Sequence, residues 1–227
     1  VSTTVLAIAD EVSRTLYDAF DRERWRSVDL IVSCGDVPPE YLDFLVTSLD
    51  VPLFYVRGNH DGAFPASHYA GCENVHGRIV RAGEIRIAGF EGSRNYNHGA
   101  VQYSEREMRF TMERMRLQAL RTGPPDIIVT HAPPEGEHSG QDECHGGFAT
   151  YNRAIDLWRP QVLVHGHMHA YNGPQKPYTI GPTSVVNAYP YTVFEIEPHA
   201  VRQAPRVEPR PERSLRRLFH TRTSHPS

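Results

Sequence analysis

The sequence predicts an α/β (α+β) chain in which a sheet of mixed direction lies on each side of one core. Three observations lead there. Short apolar, β-branched runs alternate with helix-like stretches in β-α-β-α-β order through the first half, which requires parallel strands joined by helical crossovers. The second half is richer in hairpin signals. A length of 227 residues is enough to bury one substantial core, so a single domain is the expectation.

Taken in order, residues 4–9 read as a first strand, 15–25 as a helix, 30–34 as a second strand, 40–48 as a helix and 53–56 as a third strand. Residues 84–90 alternate apolar and polar, as a half-buried strand does. Residues 104–121 form a long helix: Ser104 and Glu107 have the spacing of a capping box, and Gly123-Pro124-Pro125 stops it. A buried strand at 126–130, a helix at 150–158 and a strand at 161–165 follow. Residues 183–188 and 191–196 read as a closing hairpin around Tyr189-Pro190. The domain so defined covers 1–201. Residues 202–227 hold seven Arg and four Pro and read as a basic tail, solvated and disordered or loosely docked, with contact to an acidic surface as its sharper reading.

Composition bounds the function. Charged residues are 22% and hydrophobic ones 39%, as in an ordinary globular protein, and mean hydropathy is −0.49. No apolar run is long enough to span a bilayer, and residues 1–10 lack the marks of a signal peptide. A net charge of −3 excludes a global basic field for nucleic acid. Cys34, Cys72 and Cys144 are odd in number and unpaired in spacing, which points to a reducing, cytoplasmic compartment rather than a disulfide framework or zinc ribbon. Histidine, at 13 residues, is the unusual count.

Five segments share one pattern. Ala9-Asp10-Glu11-Val12, Gly35-Asp36, Gly58-Asn59-His60-Asp61, Thr130-His131-Ala132-Pro133-Pro134 and His165-Gly166-His167-Met168-His169 each follow an expected strand, and each sets Asp, Asn or His beside Gly or Pro. Sites in α/β folds are built beyond the carboxyl ends of strands. Any one segment alone reads as a helix cap, a turn or a core histidine. Five in succession point imidazole and oxygen ligands at one place. A set of carboxylate, amide oxygen and imidazole without thiolate suits Mn, Fe, Zn, Co or Ni better than Ca or a structural zinc. A turn at Gly166 would let His167 and His169 converge and leave His165 aside.

These motifs resemble the calcineurin-like metallophosphoesterases, whose pattern runs D-x-H, G-D, G-N-H-D/E, H and G-H-x-H in this order; the resemblance spans Asp10 to His169. It implies a four-layer α/β/β/α sandwich of two mixed sheets flanked by helices. It implies two divalent transition-metal ions, Mn first, with Fe, Zn, Co or Ni as alternatives. By position, Asp36 would bridge the metals, Asp10 and His169 would hold the first, and Asn59, His131 and His167 the second. His60 would lie beside the phosphate, oriented by Asp61. The family's usual histidine two residues after the first Asp is Val12 here; this implies a weakened first site with water in the gap, the alternatives being a ligand supplied from residues 94–98 or 138–145, or a centre that works with one metal.

The implied function is metal-dependent hydrolysis of phosphoester bonds, foremost as a phosphodiesterase on small or nucleotide-like phosphodiesters through a metal-activated hydroxide. A phosphomonoesterase or protein phosphatase is the alternative within the class. A degenerate-site binding or scaffold protein is the alternative outside it, permitted by Val12 and opposed by the retention of His60. Substrate contacts are expected from Arg94, Tyr96 and Asn97 in the 89–103 stretch and from His145 in the 135–148 loop, with an ordinary polar loop as the bland reading of each. A zinc hydrolase of the β-lactamase type is disfavoured because the H-x-H-x-H run lacks its Asp, and a dinucleotide-binding fold because no G-x-G-x-x-G follows the first strand.

Overall fold

The computed structural model describes residues 2–64, 68–69, 71–136, 138–140, 142, 144–169 and 176–198; the expected tail at 202–227 lies outside them. Strands β1 (Thr3–Ile8), β2 (Leu30–Ser33), β3 (Leu53–Tyr55) and β4 (Cys72–Asn74) run parallel in one sheet, and β13 (Tyr191–Ile196) closes it antiparallel to β1. The second sheet has a parallel centre of β6 (Ile85–Phe90), β9 (Ile127–Thr130), β10 (Val162–His165) and β12 (Thr183–Asn187). Its edges, β5 (Ile79–Ala82) and β11 (Tyr178–Ile180), are antiparallel. A short ribbon joins β7 (Ser93–Arg94) to β8 (Gln102–Tyr103).

The central strands are apolar on both faces because both faces are covered. In β1, Val5 and Ala7 turn to the inner core between the sheets, where they meet Val32, Ile87, Val129 and Val164. Leu6 and Ile8 turn outwards to Leu42 and Leu45 of α1 (Pro39–Leu49). On the far side, Ile128 and Leu163 meet Met108, Met112 and Met115 of α2 (Glu105–Thr122) and Tyr151, Ile155 and Trp158 of α3 (Ala149–Trp158). The result is the α/β/β/α sandwich of two mixed sheets. The Ser104 capping box is formed, with both reciprocal bonds to Glu107, and Gly123 ends α2.

Two expectations are corrected. No α-helix forms at 15–25: residues 14–19 turn, and Asp21 caps a short 3-10 segment, Arg22–Trp25. Leu16 is buried, Phe20 packs on the outer core at helical spacing and Tyr17 sets its ring edge-on to Tyr41 and Phe44, but Arg14, Asp18 and Ala19 stay exposed, so the segment has too narrow a buried face to hold a helix. The closing hairpin is also absent. β12 pairs with β10, while β13 crosses to the other sheet and pairs with β1. The chain is carried across at Tyr189-Pro190, where the Ala9 N–H bonds the Pro190 carbonyl and the Ala188 N–H bonds that of His165. Each strand thereby satisfies the open side of a different sheet.

Candidate metal centre

β1, β2, β3, β9 and β10 all end at one rim of the sandwich, so the five polar segments emerge together. The backbone there is unusual. Asp10, Asp36 and His167 all have positive φ, at 65°, 57° and 66°, a region side-chain-bearing residues visit rarely and mostly at functional sites. Two glycines permit the close approach. A Cβ at Gly58 would fall 2.0 Å from Asp36 Oδ1, and one at Gly166 would fall 2.8 Å from Asp10 Oδ2. Main-chain bonds lash the loops to one another: the Asp10 N–H donates to the Gly35 carbonyl and the Gly166 N–H to the His131 carbonyl.

The convergence centres on His131 Nε2, fully buried. It lies 2.9 Å from Asn59 Oδ1, 3.0 Å from His167 Nδ1 and 3.3 Å from Asp36 Oδ2. Both histidines are held by main-chain carbonyls from behind. His131 Nδ1–H donates to Cys34 O at 2.7 Å, and His167 Nε2–H donates to Cys144 O at 2.8 Å. A carbonyl only accepts, so each partner fixes a tautomer and leaves the opposite nitrogen's lone pair facing the cluster. Four electron-pair donors then face one point, which a single shared proton or a cation can satisfy.

Charge follows this geometry. Burial works to raise the Asp36 pKa, but the charge and hydrogen bond of His131 and the His60 N–H hold it below the ordinary value. Burial works to lower that of His131, yet Asp36 and Asp10 raise it to about 9. His167 is pushed down to about 3 by burial and then by His131. Asp10 is raised, chiefly by burial.

The other expected residues are placed as follows. Both Asp10 oxygens accept from the His167 N–H, at 2.9 and 3.0 Å. His169 Nε2 stands 3.9 Å from Asp10 Oδ1, its ring stacked on Tyr189. Val12 packs against the outer core beneath α1, and Glu11 is exposed and bonded to the Tyr189 hydroxyl. His165 stays in the interior, with Nδ1 on the Gly166 carbonyl. His60 is exposed at the rim; its N–H donates to Asp36 Oδ1, and its Nε2 is 4.0 Å from Asp36 Oδ2.

Asp61 departs from the role expected of it. Its buried Oδ2 accepts from the Asp36 and Gly58 N–H groups, both at 2.8 Å, so it braces the Asp36 and Gly58 loops rather than the His60 ring. Backbone donors win here because the G-N-H-D segment folds back into a 3-10 turn, Asp61–Ala63, over the Asp36 loop. Burial pushes the Asp61 carboxyl up to about 6.

Of the expected substrate residues, Tyr96 reaches the cluster: its hydroxyl is 3.3 Å from Asn59 Nδ2 and pairs with the Cys144 thiol. The His145 ring lies 5.1 Å from that of His167 and is held by Asp142 through Nδ1 at 2.9 Å. Arg94 ties the two loops together, donating to the Gly147 carbonyl beside Glu135. Asn97 is not brought in; its side chain accepts from Gln102, which gathers the 96–99 turn by its own carbonyl.

Sequence reasoning missed the main-chain carbonyls of Cys34 and Cys144, which carry no side-chain signal. It also missed the brace behind Gly58-Asn59. There Arg57 makes a bidentate pair with buried Glu91 at 2.8 and 2.9 Å, the Tyr103 hydroxyl donates to Glu91 at 2.5 Å, and the Glu91 N–H donates to His76 Nδ1. This network joins the end of β3 to the end of β6, one sheet to the other. Glu91→Ala strands Arg57 beside its vanished partner and is expected to cost about 3 kcal/mol, read as a lower denaturant midpoint.

The sequence profile of the family described as calcineurin-like phosphoesterase matches residues 9–171, from the Asp10 segment through the His169 segment. The chain belongs to that family. It is therefore a metal-dependent phosphoester hydrolase by family, and the family implies divalent metal ions. No curated protein matches it. Among solved structures it is similar to TT1561 of Thermus thermophilus, with a TM-score of 0.59 and 18% identity over 83% of this chain and 89% of that one. GAP50, the anchor in the inner membrane complex of Plasmodium, is a more distant likeness, with a TM-score of 0.45 and 13% identity over 82% and 71% of the two chains.

In this phosphoesterase, Asp36, His131 and His167 present donor atoms within 4.8 Å of one another, and Asn59 joins them. Two imidazoles, a carboxylate and an amide oxygen with lone pairs turned inwards fit a divalent transition metal. A metal held by these groups would displace the His131 proton. The sign is set by its raised folded value. Below about pH 6.5 the protonated cluster stabilises the metal-free fold, and that contribution is lost as pH rises through about 9. Metal affinity moves the other way. It is expected to rise roughly tenfold per pH unit between about 6.5 and about 8.5, measured by competition against a chelating dye; a flat profile would exclude His131 as the group that yields its proton.

Proposed function

We propose that the protein is a phosphodiesterase acting on small or nucleotide-like phosphodiesters. The observation that carries this is a half-open polar cavity of about 380 Å³ between the two loops beside the cluster, lined by Arg94, Asn95, Glu135, Ser139, Asp142 and Gly147. Its wall residue Asp142 holds His145 against His167, and Tyr96 overhangs Asn59. A cavity of this size takes the esterifying group of a small diester; an aryl or nucleoside group there would find the guanidinium of Arg94.

We assign Asn59, His131, His167 and the shared Asp36 to one metal, preferably Mn, and Asp10, Asp36 and His169 to a second, weaker one. Metal ions there supply Lewis acidity, acidifying water and offsetting phosphoryl charge. The protein's own groups position and discharge the ester. In this reading the Asn59 amide and the His60 ring would meet the equatorial oxygens at the rim, and His60, solvent-facing beside Asp36, would deliver a proton to the leaving oxygen. Val12 against the outer core leaves the second site one imidazole short. The three cysteines are free thiols, and no helix among the described residues is long and apolar enough to cross a membrane; the thiols support a cytoplasmic assignment.

Turnover of bis(p-nitrophenyl) phosphate with and without Mn²⁺ tests the reading, beside p-nitrophenyl phosphate and 2′,3′- and 3′,5′-cyclic nucleotides. Mn²⁺-stimulated turnover that favours the diesters is expected. Preference for the monoester would make it a phosphomonoesterase. Metal binding without any turnover would leave a scaffold.

A further inference from the structure

The outward face of α2 is a second surface, apart from the metal centre. Met108, Met112 and Met115 pack inwards. Opposite them Phe110, Leu117 and Leu120 stand 67%, 64% and 80% exposed. At 3.6 residues per turn, Phe110 and Leu117 fall on one line along the solvent side and Leu120 lies just beside it.

Arginines flank this ridge. Arg109 and Arg116 lie to one side, Arg114 and Arg121 to the other and Arg106 at the N-terminal end, all exposed. Three carboxylates, Glu105, Glu107 and Glu113, offset part of this, Glu113 by pairing with Arg116, and leave the helix a net charge of +2. The chain as a whole carries −3, so this positive charge is local.

We propose that α2 docks on an anionic phospholipid surface. Guanidinium groups pair bidentately with phosphate oxygens, and an amphipathic helix with arginine flanks and Phe and Leu between them lies in the plane of the headgroup–acyl boundary. A second copy fits badly, because its Arg109, Arg114, Arg116 and Arg121 would meet the same arginines. A folded protein partner fits badly too. The ridge runs ten residues, about 15 Å, and offers three apolar side chains with one open hollow beside Phe110, whereas a stable protein interface takes about 800 Å² from each partner. A lipid surface needs no fitted counter-groove.

The test is co-sedimentation of the full chain with vesicles of phosphatidylcholine alone or mixed with phosphatidylglycerol. Sedimentation with the anionic vesicles only, reversed by salt, is expected. The variants Phe110→Ser/Leu117→Ser and Arg109→Glu/Arg121→Glu are each expected to weaken it at least tenfold while Mn²⁺ binding stays unchanged. Residues 202–227 remain in every variant, so any binding by their arginines is common to all and the difference reports α2. In Phe110→Trp, the added tryptophan's emission is expected to shift to the blue on anionic vesicles. Failure to bind anionic vesicles overturns the proposal, as does full binding by Phe110→Ser/Leu117→Ser. Retention on immobilised polyglutamate equal to that on vesicles, and equally lost in the serine variant, overturns it in favour of an acidic protein partner.

Discussion

Replacement of Asp36 by Ala is expected to abolish bound metal and lower phosphoester turnover by about a thousandfold. The carboxylate does two things at once. Its Oδ2 faces His131 Nε2 and its Oδ1 takes the His60 N–H. Removing it withdraws the anion that outweighs the burial of His131 and frees the main chain that presents His60. The core beneath is untouched, since Val32 and Cys34 pack independently of the carboxylate. Metal analysis of the purified variant, beside circular dichroism, separates the outcomes. A folded variant that retains both metal and turnover would remove Asp36 from the centre.

Gly58→Ala is expected to lower turnover by about a hundredfold with little loss of fold. The added methyl would start 2.0 Å from Asp36 Oδ1 and 2.4 Å from its Cγ, with the Asp36 main-chain nitrogen at 2.7 Å, so either the side chain or the loop must move by more than about 1 Å. Displacements of that size in a reacting constellation cost about two orders of magnitude. Gly83→Ala is the control. It places a side chain at φ 59° but in open space, away from the rim, so it carries backbone strain without touching Asp36. If Gly58→Ala and Gly83→Ala lose metal and turnover alike, the contact with Asp36 is not the cause.

Much of this architecture was legible in the residues. The ends of the β1 and β2 runs, the Ser104–Glu107 cap and the Gly123 stop are local: they depend on the apolar period, on one short hydrogen bond and on a glycine's freedom. The failures were also local readings. Leu16 and Phe20 have helical spacing, yet helix formation needs a face to bury, and the turn at 14–19 offers Leu16 alone as a fully buried side chain. The runs at 183–188 and 191–196 look like a hairpin because the sequence shows two strands and a tight link, not which sheet has an open edge.

The same boundary divides the site. By itself the sequence determined which donors this chain carries, in what order and at the ends of which strands, because a strand's end and the glycine beside a polar residue are decided within a few positions. It also showed a valine, Val12, where the family resemblance leads one to expect an imidazole. Only the tertiary structure decided who faces whom. Asn59 meets His131 across 72 positions and Asp10 meets the His167 N–H across 157, distances fixed by the stacking and register of two sheets rather than by any propensity. It decided that Asp61 braces backbone, that the carbonyls of Cys34 and Cys144 set the histidine tautomers, and that Arg57 and Glu91 tie one sheet to the other behind Asn59. It turned Phe110, Leu117 and Leu120 to solvent as well, because sequence periodicity marks the face a helix buries but not whether its outer face will be left uncovered.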